Sequence, residues 1–392
     1  MGQTAVHAAP LLVDFDNQER EERIQSSNAW LEIDTQAFSN NIQLLKQDLK
    51  GDTKICAIIK ADAYGNGIAG LMPTIIANQV PCLGITSNEE ARVVREQGYQ
   101  GKVMRVRAAS KNEIEGGLKF KIEELIGTKS QADQIIEIAT ANHTTIPVHL
   151  ALNTSGMGRN GLDLTNDAGQ VEGVQIVRDP NLEIVGMMTH FPNEDIAEIK
   201  RKVELFKIET QWLMDSADLD REDITLHVAN SYITLNVPEA HLDMVRPGRM
   251  LYFYAPAKTP YQRIVSFKTR VASTHRFPAG STIGYDSTAV LERDSVLANL
   301  PIVYSDGFAR SLSNKADVLI NGQRARIVGI ASMNTIMVDV TDIPSAQAND
   351  EVVVFGHQGS EEITAGEIAD KGGRIFFEHC TTWGATNPRV YR

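Results

Sequence analysis

The chain has 392 residues, 42% of them hydrophobic and 22% charged, enough for two domains whose cores need no staples. A formal net charge of −12 excludes a nucleic-acid binder built on clustered Lys and Arg, and no apolar run approaches the length that spans a bilayer. Three cysteines, Cys56, Cys82 and Cys380, are too few for a disulfide scaffold and lack zinc-ligand spacing.

At the start, Met1 and Gly2 suggest a lipidation signal, but Val6 stands where Ser or Thr is required. The segment VHAAP (6–10) has the small-x-Ala character of a signal-peptidase cut, which predicts a secreted chain with its signal peptide removed. Residues 1–31 read as an N-terminal extension, polar and helix-like over 16–27.

Eight short apolar runs follow: TKICAIIK (53–60), CLGITS (82–87), GKVMRV (101–106), EELIG (123–127), IPVHLAL (146–152), LEIVGMMTH (182–190), ITLHVAN (224–230) and DMVRPG (243–248). Helical patterns lie between them, so residues 32–257 are expected to form a (β/α)8 barrel. From residue 258 to 392 the text changes to polar–apolar alternation broken by Gly and Pro, which predicts an antiparallel β domain. The fold class expected is therefore α/β plus β.

Barrel chemistry sits at the C-terminal strand ends. These ends carry Lys60, Arg105 and Arg107, Asn153 through Arg159, His190, Ser231 and Arg246. A lysine closing an apolar strand is costly to bury, and desolvation favours the neutral amine that attacks carbonyls. Taken alone, such a lysine is more often one whose stem covers the strand end while its ammonium reaches water. A lone strand-end histidine is more often a satisfied core residue. GNGIAG (65–70) matches the dinucleotide fingerprint G-x-G-x-x-G with Glu89 about twenty residues on, which leaves an NAD-dependent dehydrogenase open. Against it, four residues separate Lys60 from the first glycine, where the fingerprint needs a tight turn off the strand.

IIKADAYGNG (58–67) resembles the cofactor-lysine segment of alanine racemases, whose form is close to VKA-x-AYGHG. GMGRNG (156–161), MMTHF (187–191), HVANS (227–231), MVRPGRMLY (244–252), GYDST (284–288) and PRVYR (388–392) resemble further family segments in the same order. The resemblance covers nearly the whole chain from Trp30 onward. It implies a homodimer with shared active sites that binds pyridoxal 5′-phosphate (PLP) and interconverts L- and D-amino acids by a two-base mechanism on free amino acids. Lys60 would carry the cofactor and serve one face, and Tyr285 from the other subunit would serve the opposite face. Arg246 matches the partner of the pyridine nitrogen; its high pKa keeps that nitrogen unprotonated and weakens the ring as an electron sink. Ser231, the amides of Gly248 and Arg249, and Tyr64 match the phosphate site. His190 matches a cation or polar relay near the tyrosine, and Arg159 would be the clamp for the substrate carboxylate or the phenolic oxygen.

The chain also departs from the strict family. Alanine racemases carry a lysine, often carbamylated, where this chain reads ALNTSGMGRNG (151–161); a chloride or ordered water beside Arg159, Asn153 and Asn160 is expected in its place. Met333 and Asn334 stand where the family has Met-Asp, with Met333 assigned to substrate binding, and Phe377 stands where it has Tyr. With Arg105 and Arg107, these features resemble the broad-spectrum amino-acid racemases, which accept Lys, Arg and Ala. Those relatives are periplasmic, which implies a Cys56–Cys82 disulfide with Cys380 free. The alternatives carried forward are a strict alanine racemase, a PLP-dependent decarboxylase of basic amino acids on the same barrel, and a non-catalytic PLP-binding homeostasis protein.

Overall fold

The computed structural model describes residues 17–252 and 260–392, with side chains from residue 22 onward. The VHAAP segment and the boundary expected at 257 both lie outside the described residues. The chain forms two compact units. Of the described residues, one comprises Ser39–Ala61, 72–252 and 260–262; the other comprises 17–38, Asp62–Leu71 and Arg263–Arg392.

β1 (Ala29–Ile33) belongs to the second unit. The first is built on eight parallel strands: β2 (Lys54–Ile58), β3 (Cys82–Ile85), β4 (Lys102–Arg105), β5 (Ile122–Ile126), β6 (Pro147–Ala151), β7 (Glu183–Met188), β8 (Thr225–His227) and β9 (Met244–Val245). Their order is 8-7-6-5-4-3-2-9, and the seam between β8 and β9 is drawn together by Asp243 N–H to Leu226 O and Arg246 N–H to Ala229 O, at 3.1 and 2.8 Å. Every run read as a strand is one. Burial explains their near-continuous apolarity: one face of each strand meets the barrel interior and the other meets helices. The longest of those helices, Ile196–Ser216, is capped by Asp195, whose side chain accepts from the Glu198 amide.

The second unit is an antiparallel sheet of β10 (Val265–Arg270), β11 (Ser273–Phe277), β14 (Ser295–Leu300), β15 (Asp317–Ile320), β16 (Gln323–Val328), β17 (Ile336–Asp339) and β18 (Glu351–Gln358). β19 (Glu361–Ile363) pairs with β18, and β12 (Thr282–Ile283) and β13 (Ala289–Val290) form a separate ribbon. β1 enters this sheet beside β10 and pairs in parallel with β20 (Arg389–Tyr391), so Ala29–Ile33 is an interior strand here rather than the end of an extension and the start of the barrel. β10 alternates buried and half-buried residues, as a sheet with one packed face requires. Its Phe267 stacks on Trp383, which also meets Phe355 and Phe376, with ring centres 4.9, 5.6 and 5.6 Å apart.

The segment Asp62–Leu71 packs within this second unit, and that explains GNGIAG. A Cβ on Gly65 would lie 2.2 Å from the Cys380 carbonyl oxygen, and one on Gly67 or Gly70 would lie 2.0 Å from the Tyr391 side chain. The glycines admit the C-terminal helix and strand, not a pyrophosphate. Glu89, which stood at the dinucleotide spacing, is exposed and paired with Arg92 at 2.9 Å.

Candidate active site

Lys60 lies two residues beyond β2, half-buried, and begins an unusual turn. Ala61, Asp62, Ala63 and Tyr64 all have φ between +52° and +55°, a turn of left-handed helix. Such backbone costs L-residues roughly 1–2 kcal/mol each, so it persists only where surrounding bonds hold it. Glu90 holds its start: one carboxylate oxygen accepts the Ala61 amide at 2.6 Å, and the other accepts the amides of Thr86 and Ser87 at 2.7 and 3.2 Å. The same Glu90 closes a capping box with Ser87 on the helix Asn88–Glu96. Asp62 holds the far side, its Oδ1 accepting from the Ile68 amide at 2.7 Å and its Oδ2 pairing with Arg389 at 2.7 Å.

Burial pushes the Lys60 ammonium below its ordinary pKa, and Arg159 pushes further, while Glu90 opposes them. Arg159 stands exposed in the loop after β6. That loop is pinned by Ser155 Oγ donating to the His190 carbonyl at 2.7 Å, by the Gly158 amide donating to Asn153 at 2.9 Å, and by Thr154 donating to Glu209.

Arg246 leaves the end of β9 with only 5% exposure. Its Nη1 donates to His227 Nδ1 and to the His227 carbonyl, both at 2.7 Å, and its Nη2 donates to the Thr189 carbonyl at 2.9 Å. Burial leads the forces on His190, followed by the charges of Arg246, Arg159 and Lys60, and together they drop its pKa to about 3. His190 is therefore a neutral imidazole.

Ser231 Oγ accepts the amides of Gly248 and Met250 at 3.0 and 3.2 Å, where the loops after β8 and β9 meet. The Gly248 amide, one of the donors expected for the phosphate, is thus engaged with Ser231 here. Arg249 is exposed beside it. Lys60, Arg159, His190, Ser231, Arg246, Gly248 and Arg249 thus all lie in the barrel unit, the first three and Arg246 within electrostatic reach of one another.

Arg105 does not join them. It turns toward the helical layer, bonded to Glu124 at 2.7 Å and to Asn88 at 2.7 Å, and is wholly buried. Arg107 is tied to Glu113. The strand's pleat sends Arg105 outward, to Glu124 and Asn88.

Tyr64, Tyr285 and Met333 belong to the β unit. Tyr64 packs on Phe377 with ring centres 5.5 Å apart, and burial raises its phenol pKa. Tyr285 opens a short turn in which Asp286 and Ser287 have positive φ, and it is 66% exposed; Met333 is 59% exposed. Cys56 and Cys82 are register partners on β2 and β3, both buried thiols with sulfurs 2.7 Å apart.

Sequence reading passed over four residues that the structure makes central: Glu90, Glu123, His149 and His227. Glu90 was legible in S-x-x-E ahead of a helix. The other three were legible as polar residues inside strands that are otherwise apolar.

Comparison with known proteins agrees with this arrangement. The alanine racemase N-terminal domain matches residues 33–256, and the alanine racemase C-terminal domain matches residues 264–391. A broad specificity amino-acid racemase of Vibrio parahaemolyticus is 55% identical over 384 residues, covering 98% of this chain and 94% of that protein. A lysine racemase of Proteus mirabilis is 43% identical over 364 residues, covering 93% and 89%. Among solved structures, an alanine racemase of Clostridium difficile 630 superposes with a TM-score of 0.85 at 26% identity, covering 94% of this chain and 96% of that one. An alanine racemase of Bartonella henselae solved with covalently bound pyridoxal phosphate shares the fold, with a TM-score of 0.82 at 24% identity and coverage of 93% and 100%. With both domains matched in order and a relative more than half identical along nearly its whole length, this chain belongs to the alanine racemase family.

Proposed function

We propose that this protein is a PLP-dependent amino-acid racemase of broad specificity, acting on free amino acids such as lysine, arginine and alanine as a homodimer. The observation that carries the reading is the placement of Lys60: a strand-end amine, half-buried, its ammonium disfavoured by burial and by Arg159, on a left-handed turn held by Glu90. That combination favours a neutral, fixed nucleophile.

The residues present fit the cofactor. Lys60 would hold its aldehyde carbon. Ser231, whose hydroxyl proton remains to donate while its oxygen accepts the amides of Gly248 and Met250, is suited to a phosphate together with Tyr64 and Arg249. Both Nη groups of Arg246 are engaged, and Nε–H is the guanidinium donor without a partner among the described residues, suited to a ring nitrogen that accepts. When bound, the cofactor draws electrons from the substrate's α-carbon and so acidifies its Cα–H.

The chain's own residues then move that proton. Lys60 Nζ takes it from, or returns it to, one face of the α-carbon, and Oη of the partner subunit's Tyr285 serves the other. Tyr285 is two-thirds exposed on its own unit, as a residue offered to a second copy would be. Arg159 is the clamp for the substrate carboxylate, and Met333 contributes to the side-chain end of the site. Neutral His190 relays hydrogen bonds without adding charge. An anion, chloride, beside Arg159 and Asn160 takes the place of the family lysine; a bromide soak with no anomalous peak there removes it.

The breadth of substrate follows from relatives of 47–55% identity that carry the broad-specificity name. The 2.7 Å approach of Cys56 and Cys82 supports a disulfide and with it an oxidising, periplasmic location. Equal thiol counts with and without reductant would remove that pair.

The function is tested by incubating the protein with PLP and L-lysine, L-arginine or L-alanine in D2O. Loss of the Cα–H resonance for all three supports the reading. Exchange of alanine alone returns the protein to the strict specificity, and release of CO2 makes it a decarboxylase.

A further inference from the structure

A continuous line of side chains crosses the barrel interior from Arg246 to Glu123. Arg246 Nη1 lies 2.7 Å from His227 Nδ1; His227 Nε2 lies 2.9 Å from His149 Nδ1; His149 Nε2 lies 2.9 Å from Glu123 Oε2. The line passes over β7 because Gly186 leaves it room, since a Cβ there would sit 2.3 Å from His149 Nδ1. His149 and His227 are 2% and 0% exposed. Glu123 Oε1 meets the exposed Lys102 at 3.0 Å, at the opposite end of the strands from Lys60.

Arginine offers only donors, and that fixes the direction of every bond in the line. His227 Nδ1 must accept, so its proton is on Nε2. That proton points at His149 Nδ1, which must also accept, so the His149 proton is on Nε2 as well. It is donated to Glu123, which accepts as a carboxylate. Any other tautomer, or an imidazolium at either site, sets two donors against each other at 2.7 or 2.9 Å in a space closed to water.

We propose that Glu123 is a positioning residue for Arg246, acting through His149 and His227 as a hydrogen-bond line of single polarity. Arg246 makes no ion pair among the described residues, so this carboxylate, two rings away, is its counter-charge. The line also fixes the plane of the guanidinium and so decides which N–H is left over. One pKa direction agrees: burial lowers Arg246 to about 10, which calls for a compensating anion. The consequence for catalysis rests on the PLP racemase reading, whereas the line itself does not.

The test is long-range 1H–15N spectroscopy of 15N-histidine-labelled protein, with the two rings identified by the contact between them at a centroid separation of 4.9 Å. Both rings are expected neutral, protonated on Nε2 and bare on Nδ1. Either ring as an imidazolium, or carrying its proton on Nδ1, overturns the proposal. In Glu123→Gln the His149 Nε2 proton is expected to move upfield, and kcat to fall about tenfold with KM unchanged, as when an outer partner of a buried functional group is lost. An unmoved proton in a folded Glu123→Gln protein also overturns it. Correct tautomers in a protein that racemises nothing would sink the proposed function and leave the line standing.

Discussion

Arg105 donates to both oxygens of Glu124, at 2.7 and 3.0 Å, with the two side chains 0% and 3% exposed. This pair bridges β4 and β5 beneath the helical layer. Removing one partner strands a buried charge, which costs about 3–5 kcal/mol, whereas replacing both by apolar residues of similar volume is often neutral. Arg105→Met is therefore expected to lower the urea midpoint sharply, and the Arg105→Met, Glu124→Leu double variant to recover most of the loss. A double variant no more stable than the single one would contradict this.

His190 gives stability a pH dependence of known sign. Its folded pKa is depressed to about 3, while the unfolded chain titrates near the ordinary value of about 6.5. Below that ordinary value the unfolded chain binds a proton that the folded one refuses. The contribution is complete above about 6.5 and is lost progressively as pH falls toward 3. His227, wholly buried and also depressed, acts in the same direction. Urea midpoints are expected to fall between pH 7 and pH 5, by less in His190→Asn, and identical slopes in both proteins would exclude the histidine as a cause.

Most of the fold was legible because burial writes itself into sequence: strands covered on both faces are continuous apolar runs, and strands with one packed face alternate. Lys60, Ser231 and Arg246 were legible as polar residues at strand ends. Two things were not. Chain continuity suggested that residues 32–257 form one body, yet Ala29–Ile33 and Asp62–Leu71 belong to the β unit through contacts with the C-terminal strand and helix, hundreds of residues away. The direction of a side chain at a strand end was equally hidden: Arg105 and Arg246 look alike in sequence, and the pleat sends one outward and one inward.

Gly70 makes the packing explanation of GNGIAG testable. Gly70→Ala places a methyl against the Tyr391 ring and is expected to cost about 1–3 kcal/mol, as overpacking does. Thermal melts check it. A variant as stable as the parent, or a parent stabilised by NAD, would restore the dinucleotide reading.

The division of labour between two bases predicts an asymmetric defect. Tyr285→Phe is expected to lose racemisation by about 10²-fold or more, the scale of a general acid–base contribution, while PLP binding is retained. Cα–H exchange should persist from one enantiomer only. Equal residual exchange from both enantiomers would assign the second base elsewhere.

The most direct measurement is chiral chromatography of L-lysine incubated with PLP and either the parent protein or Lys60→Ala. The account predicts D-lysine rising toward an equal mixture with the parent and none with the variant. D-lysine formed equally well by Lys60→Ala, or by neither protein when each is shown to be folded, would contradict it.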